Sequence, residues 1–215
     1  MQLSGPTFPV SCFAIRPASR DRGIGHSVDV WLARREALPE PGNSRTLLRE
    51  TLSRYAPVAP EDWRFRTGEH GKPEIAQPAQ ARLRFNLSHS DRLVACAVTL
   101  DHDIGVDVEN TARACEPLEL GERVFTDEEN RALRALTGRA RQRRFFELWT
   151  LKEAWLKARG SGFALDPRCV SFEIGESARI RARFHGPVRD DPAQWSFALL
   201  EPEPGQLMAL ALRTD

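Results

Sequence analysis

Glu153 and Lys157 stand four residues apart in the segment Trp149-Thr150-Leu151-Lys152-Glu153-Ala154-Trp155-Leu156-Lys157-Ala158-Arg159-Gly160. Leu, Lys, Glu and Ala dominate it and Gly160 closes it, which predicts a helix with both side chains on one face. A carboxylate there can hold a divalent cation while the ammonium reaches an anion beside it. Upstream, Gly105-Val106-Asp107-Val108-Glu109 alternates as a strand, with Ile104, Val106 and Val108 on one face and Gly105, Asp107 and Glu109 on the other. Same-face residues lie about 6.6 Å apart along a strand, so Asp107 and Glu109 can share one ion. Without a cation or a basic partner they would repel. Taken singly, each element has a plainer explanation: a solvated Glu–Lys pair, or the charged outer face of an edge strand. If the two elements meet, three carboxylates and a lysine surround one point, which suits a magnesium-bound phosphate.

Further residues could serve an anion. Gly68-Glu69-His70-Gly71-Lys72-Pro73 reads as a tight loop presenting Lys72, in a chain where arginine far outnumbers lysine. Its alternative is a turn with a solvated lysine. Leu83, Phe85 and Leu87 mark a strand face opposite Arg84, Asn86 and Ser88, and the strand runs into Ser88-His89-Ser90. A Ser-His pair after a strand can bind phosphate through hydroxyl, imidazole and backbone N–H groups. The alternative is a turn capped locally by Ser90 or Asp91. No GxSxG elbow supports a Ser-His-Asp hydrolase.

Bulk properties narrow the class. The chain has 215 residues, enough for one large domain or two small ones. A net charge of +1 argues against a general polyanion binder, and so against nucleic acid. Cys12, Cys96, Cys115 and Cys169 form no CxxC pair, which disfavours a zinc site or a disulfide framework and fits a reducing cytoplasm. The longest apolar run, Leu93 to Leu100, is too short for a membrane span, and the N-terminus lacks a signal pattern.

The elements that must position these residues follow from periodicity and punctuation. Residues Met1 to Gly25 read as a loose arm with a short strand at Ser11 to Ile15. A strand at Val28 to Ala33 precedes a Pro-rich break at Leu38 to Gly42. A helix capped by Asn43 or Ser44 runs from Arg45 to about Tyr55. Strands follow at Trp63 to Arg66, at Leu83 to Ser88, at Leu93 to Thr99 and from Ile104. Leu118 to Phe125 is a short helix. Thr126-Asp127-Glu128-Glu129 is a capping box opening another, with Glu128 in its first turn. The long helix is expected from about Arg141 to Arg159, burying Phe145, Leu148, Trp149, Trp155 and Leu156. Strands near Val170 to Ile174, Ala178 to Phe184, Trp195 to Leu200 and Leu207 to Leu212 complete an α+β chain that divides near residues 101–104.

These segments fall in a known order: Gly71-Lys72-Pro73, Phe85-Asn86-Leu87-Ser88-His89-Ser90, Gly105-Val106-Asp107-Val108-Glu109, Phe125-Thr126-Asp127-Glu128-Glu129, and Trp149-Thr150-Leu151-Lys152-Glu153 through Lys157. Over about residues 28 to 175 the chain resembles the 4′-phosphopantetheinyl transferases, of the two-lobed kind that activates peptide and polyketide synthases. The resemblance implies two similar lobes related by a pseudo-twofold axis, residues 1–103 and 104–215, with coenzyme A in the cleft between them. It implies that Asp107, Glu109 and Glu153 ligate Mg2+ and that Lys157 contacts the phosphates. It places Lys72, Ser88, His89 and Arg45 along coenzyme A, with His89 and Arg45 towards the 3′-phosphate. Lys152 fits the pattern without an assigned role. The chain departs from the family in the shortened segment Arg34 to Ser44, which leaves Arg34, Arg35 or Arg49 to supply part of the 3′-phosphate grip.

The implied reaction moves 4′-phosphopantetheine from coenzyme A to a serine of an acyl or peptidyl carrier protein, releasing adenosine 3′,5′-bisphosphate, as a holo-[acyl-carrier-protein] synthase does. Glu153, Glu128 through a water, or a carboxylate oxygen near the metal would take the serine proton. The carrier would dock on the region from Asn110 to Gly138, and the enzyme is expected to be a monomer. A magnesium-dependent phosphohydrolase would use the same acids with water as nucleophile, but no water-activating base or basic track is evident. A non-catalytic scaffold would not need all three acids and the lysine.

Overall fold

The structure is a computed structural model and describes residues 10–15, 28–39, 44–79, 82–175 and 179–214. The expected arm therefore lies largely outside the described residues, as does the candidate cap Asn43. The mixed α+β class holds. Strands β1 (Ser11–Ile15), β2 (Val28–Arg34), β5 (Leu83–His89) and β6 (Leu93–Leu100) form one antiparallel sheet in the order β1-β2-β6-β5. Strands β7 (Asp103–Asn110), β10 (Trp195–Glu203) and β11 (Gln206–Arg213) form a second, in the order β10-β11-β7. Two small hairpins, β3 (Arg64–Thr67) with β4 (Pro73–Gln77) and β8 (Val170–Ile174) with β9 (Ile180–Phe184), flank them. Strand β4 was not expected: the Gly68-to-Pro73 loop is the turn of a hairpin, and Pro73 opens its second strand.

Side-chain alternation explains the layering. Val30 and Leu32 of β2, Ala95 and Ala97 of β6, Val106 and Val108 of β7, and Met208 and Leu210 of β11 share one apolar layer, so the two sheets face each other. The opposite face of the first sheet carries Phe85, Val94, Cys96 and Val98 and is covered by α1 (Ser44–Leu52) through Leu47, Leu48 and Leu52. That helix ends about three residues before the expected Tyr55, in a turn preceding Pro57. The opposite face of the second sheet, Leu207, Ala209 and Ala211, is covered by α4 (Gly138–Arg159). No described helix is long and apolar enough to cross a membrane.

Helix α4 begins three residues earlier than periodicity indicates, with Gly138 in a left-handed conformation (φ 53°) as its first residue. It ends at Gly160, φ 70°, as expected. From Phe145 onward it is buried on most sides, because β7 and β11 lie beneath it and β8, β9 and helices α2 (Pro117–Val124) and α3 (Asp127–Arg134) wrap around it. The capping box of α3 is complete: Glu129 N–H donates to Thr126 Oγ1 at 3.3 Å and Thr126 N–H donates to Glu129 Oε2 at 2.8 Å.

Gly105 sets how closely α4 approaches β7. A Cβ built there would stand 1.9 Å from the carbonyl oxygen of Ala154 and 2.5 Å from the nitrogen of Ala158. Those are backbone atoms of a buried helix and cannot yield, so any larger residue must lever α4 off the strand. Gly105→Ala is expected to cost about 3 kcal/mol or more, a fall in Tm of roughly 6–12 °C for a chain of this size. A Tm within two degrees of wild type in a thermal melt would refute the close contact.

Candidate active site

The approach of α4 to β7 decides which side chains meet. Gly105, Asp107 and Glu109 share the face of β7 beneath the helix, and Glu153 and Lys157 lie one turn apart on α4. Lys157 Nζ donates to Asp107 Oδ1 at 2.7 Å and to Ser88 Oγ at 3.0 Å, and Ser88 Oγ donates to Asp107 Oδ1 at 3.0 Å. Asp107 is 5 % exposed, and its second carboxylate oxygen, Oδ2, is buried with no hydrogen-bond partner. An orphaned carboxylate oxygen is costly to bury unless something binds it.

Glu109 receives the indole N–H of Trp149 at 3.1 Å and the guanidinium of Arg113 at 3.3 Å. Burial, and then the negative charge of Asp107, hold its carboxyl above the ordinary range. Glu153 is pushed up to about 7, first by burial and then by Asp107, with Glu109 adding to the rise and Lys157 opposing it. The three acids therefore feel one another, as expected of carboxylates with too little positive charge among them.

As the side chains stand, no group of three or more His, Cys, Asp or Glu among the described residues is arranged to hold a metal ion. The counter-charge on Asp107 is Lys157. The chemistry of the donor set nevertheless fits a hard divalent cation: three carboxylates that raise or crowd one another, one with a buried oxygen lacking any partner.

The other candidates are placed as follows. Ser88 is buried and belongs to the cluster. His89 is exposed at the end of β5, and Arg45 is exposed in the first turn of α1. Lys72 lines a cleft of about 510 Å3 together with His70, Arg84, Asp103, Arg159 and Ser161, past the C-terminal end of α4. Glu128 is exposed and faces Arg183 of β9 at 3.7 Å, so it is not brought to the cluster. Arg34 bonds Glu203, Arg35 donates to the carbonyl of Ser90, and Arg49 donates to the carbonyls of Pro60 and Trp63, so all three are spent on protein partners. Ser90 serves as the local cap, accepting from the N–H groups of Arg92 and Leu93, and its hydroxyl reaches Gln206 of β11.

Lys152 turns away from the cluster. Its ammonium pairs with Glu129 at 2.9 Å, both side chains being 3 % exposed, and donates to the carbonyls of Pro167 and Val170. Glu129 also accepts from the N–H of Phe172 at 2.9 Å. The cap of α3 is thus also the buried anion that ties α3, α4 and β8. The spacing of Lys152 from Leu148 and Phe145 puts it on the helix's apolar stripe, a signal available in the sequence. Trp149, on the apolar stripe by periodicity, is half-buried and its N–H orients Glu109.

A model of the 4′-phosphopantetheinyl transferase superfamily matches residues 103–211. The 4′-phosphopantetheinyl transferase HetI of Nostoc sp. is 35% identical over 170 residues, covering 78% of this chain and 68% of its own. The 4′-phosphopantetheinyl transferase Sfp of Bacillus subtilis is 31% identical over 164 residues, covering 76% and 69%. A solved structure, the Thermotoga maritima holo-[acyl-carrier-protein] synthase, has a TM-score of 0.43 at 20% identity, over 53% of this chain and 63% of its own.

Two outcomes follow from the electrostatics. Glu153 titrates near 4.5 when unfolded and at about 7 when folded, so the folded state binds the extra proton between those values. Its contribution is therefore present below pH 4.5 and lost as pH rises through 7. In metal-free buffer Glu153→Gln should be roughly 1–3 kcal/mol more stable than wild type at pH 8.5, the gap closing towards pH 4.5. A denaturant series with no pH-dependent gap would contradict this. Lys152→Met strands the Glu129 carboxylate and should cost about 3–5 kcal/mol, read as a lower unfolding midpoint; an unchanged midpoint would contradict the buried pair.

Proposed function

The chain belongs to the 4′-phosphopantetheinyl transferase superfamily, and from that premise we propose that it moves the 4′-phosphopantetheine of coenzyme A onto a serine of an acyl or peptidyl carrier protein, with Mg2+. We further propose two units, residues 1–103 and 104–215, with coenzyme A held between them. Asp107, Glu109 and Glu153 would hold the cation, which supplies neutralisation of the diphosphate when bound. The observation that supports this most is Asp107: its Oδ1 is engaged by Lys157 and Ser88 while its buried Oδ2 has no partner.

The carrier serine Oγ attacks the phosphorus that bears pantetheine. The bond from that phosphorus to the bridging oxygen breaks, and adenosine 3′,5′-bisphosphate leaves with the electron pair. Lys157 contacts the diphosphate and stabilises charge growing on the leaving oxygen. Ser88 orients Lys157 through its hydroxyl. His89 and Arg45, both exposed, contact the adenosine end. The serine proton goes to Glu153, which lies at the cluster, in preference to Glu128, which faces Arg183. The carrier docks against residues 110–138, where α2 and α3 border α4.

Asp107→Ala and Glu153→Ala are each expected to lower transfer at least a thousandfold while circular dichroism stays native, since each removes charge acting on the transition state. The measurement is the mass gained by a carrier protein incubated with coenzyme A and Mg2+. Near-normal labelling by either variant would sink the mechanism, and absence of labelling by wild type across several carriers would sink the function.

A further inference from the structure

Lys72 comes from the turn of the β3–β4 hairpin, in the N-terminal half, yet its ammonium is spent on backbone of the other half. Nζ donates to the carbonyl of Ile104 in β7 at 3.2 Å and to the carbonyl of Ala158 in α4 at 3.0 Å. Both acceptors need a partner. Ile104 lies on the edge of β7 that faces away from β11, and Ala158 belongs to the last turn of α4, whose carbonyls lack intrahelical donors. A cation at a helix C-terminus is further favoured by the helix dipole. Gly160 leaves room for the lysine stem: a Cβ there would stand 3.4 Å from Lys72 Cδ. An ammonium has three donors, and two are committed to protein backbone. Burial pushes its pKa down, in keeping with an enclosed position.

We infer that Lys72 is a positioning residue, a clasp that fixes the end of α4 against the start of β7 and so sets the reach of Glu153 and Lys157 to Asp107. Its two anchor points bracket the cluster: Ala158 follows Lys157 directly, and Ile104 precedes Asp107 by one turn of the strand's alternation and a residue. Loosening either anchor changes the α4–β7 separation where the acids and the lysine meet. Arg84 and His70, which line the same cleft, make no such tie to both elements. The inference rests on the transferase function proposed above for its kinetic consequence, while its structural consequence stands alone.

Lys72→Met keeps the stem and removes the donors. Amide hydrogen exchange at residues 156–160 should quicken roughly tenfold, with the other helices unchanged. In the transfer assay kcat should fall roughly ten- to a hundredfold, as for a misplaced catalytic group, while KM for coenzyme A moves less than about threefold. Gly71→Ala strains the turn that presents Lys72, where φ is 87°, without touching its side chain, and should give the same pattern in smaller measure. Arg84→Ala removes a cation from the same cleft and should leave exchange in α4 unchanged. Unaltered exchange at residues 156–160 in Lys72→Met, a rise in KM with kcat held, or exchange that rises evenly over the whole chain would each overturn the clasp. A wild-type protein that transfers nothing, with the exchange result intact, would instead remove the proposed function and leave the clasp standing.

Discussion

One edge of β7 organises the molecule. β11 pairs with one side of this strand, while the other side would expose backbone groups beside Asp107 and Glu109. That side is satisfied by side chains from the N-terminal half at alternate residues: Lys72 donates to the carbonyl of Ile104, Asn86 accepts from the N–H of Val106 at 2.9 Å, and Ser88 accepts from the N–H of Val108 at 3.2 Å. A continuous ladder to β5 would have made one sheet. Side-chain bonds instead let β5 lie beside β7 while the two sheets turn to face each other. Ser88 then performs a second task from the same position, touching both Asp107 and Lys157. The buried polar groups along this seam are tolerated because they pair with one another, while Asp107 Oδ2, buried without a hydrogen-bond partner, lies at the candidate site.

Close packing converts that seam into chemistry. Gly105 brings α4 down onto β7, and the next same-face residues, Asp107 and Glu109, meet the helix where it carries Glu153 and Lys157. The apolar layer shared by β2, β6, β7 and β11 holds the sheets from behind. The cluster of like charges is thus imposed by packing. The strain appears in Glu153, pushed up to about 7, and a cation or a bound diphosphate with its metal would relieve it.

The lysines of this arginine-rich chain, Lys72, Lys152 and Lys157, divide the labour. An ammonium is a compact donor that fits between backbone carbonyls, and two of the three do so. Lys152 is closed in with Glu129 as part of the core, and Lys157 alone pairs with the acid at the candidate site. Four residues on one helix separate a lysine used for stability from one placed near the chemistry, and the difference is burial: 2 % exposure for Lys152 against a partly open side chain for Lys157.

By itself the sequence determined what local rules govern. Alternation marked β2, β5, β7, β8, β9, β10 and β11, an unbroken apolar run marked β6, Thr126 and Glu129 marked a capping box, Gly160 marked the end of α4, and the acidic and basic motifs marked the family. Those signals are carried by neighbours within one turn or one pleat. Tertiary structure decided the rest, because it depends on contacts between residues far apart in the chain. Periodicity placed Asn86 and Ser88 opposite the buried face of β5, and only the arrival of β7 buried them too. The GKP loop became a hairpin turn whose lysine grips another element, and Glu129 became a buried anion as well as a cap. Arg34, Arg35 and Arg49, free on paper, were taken by Glu203, Ser90, Pro60 and Trp63. A donor's vocation is set by which acceptor is nearest once the chain has folded, and spacing along the chain does not contain that distance.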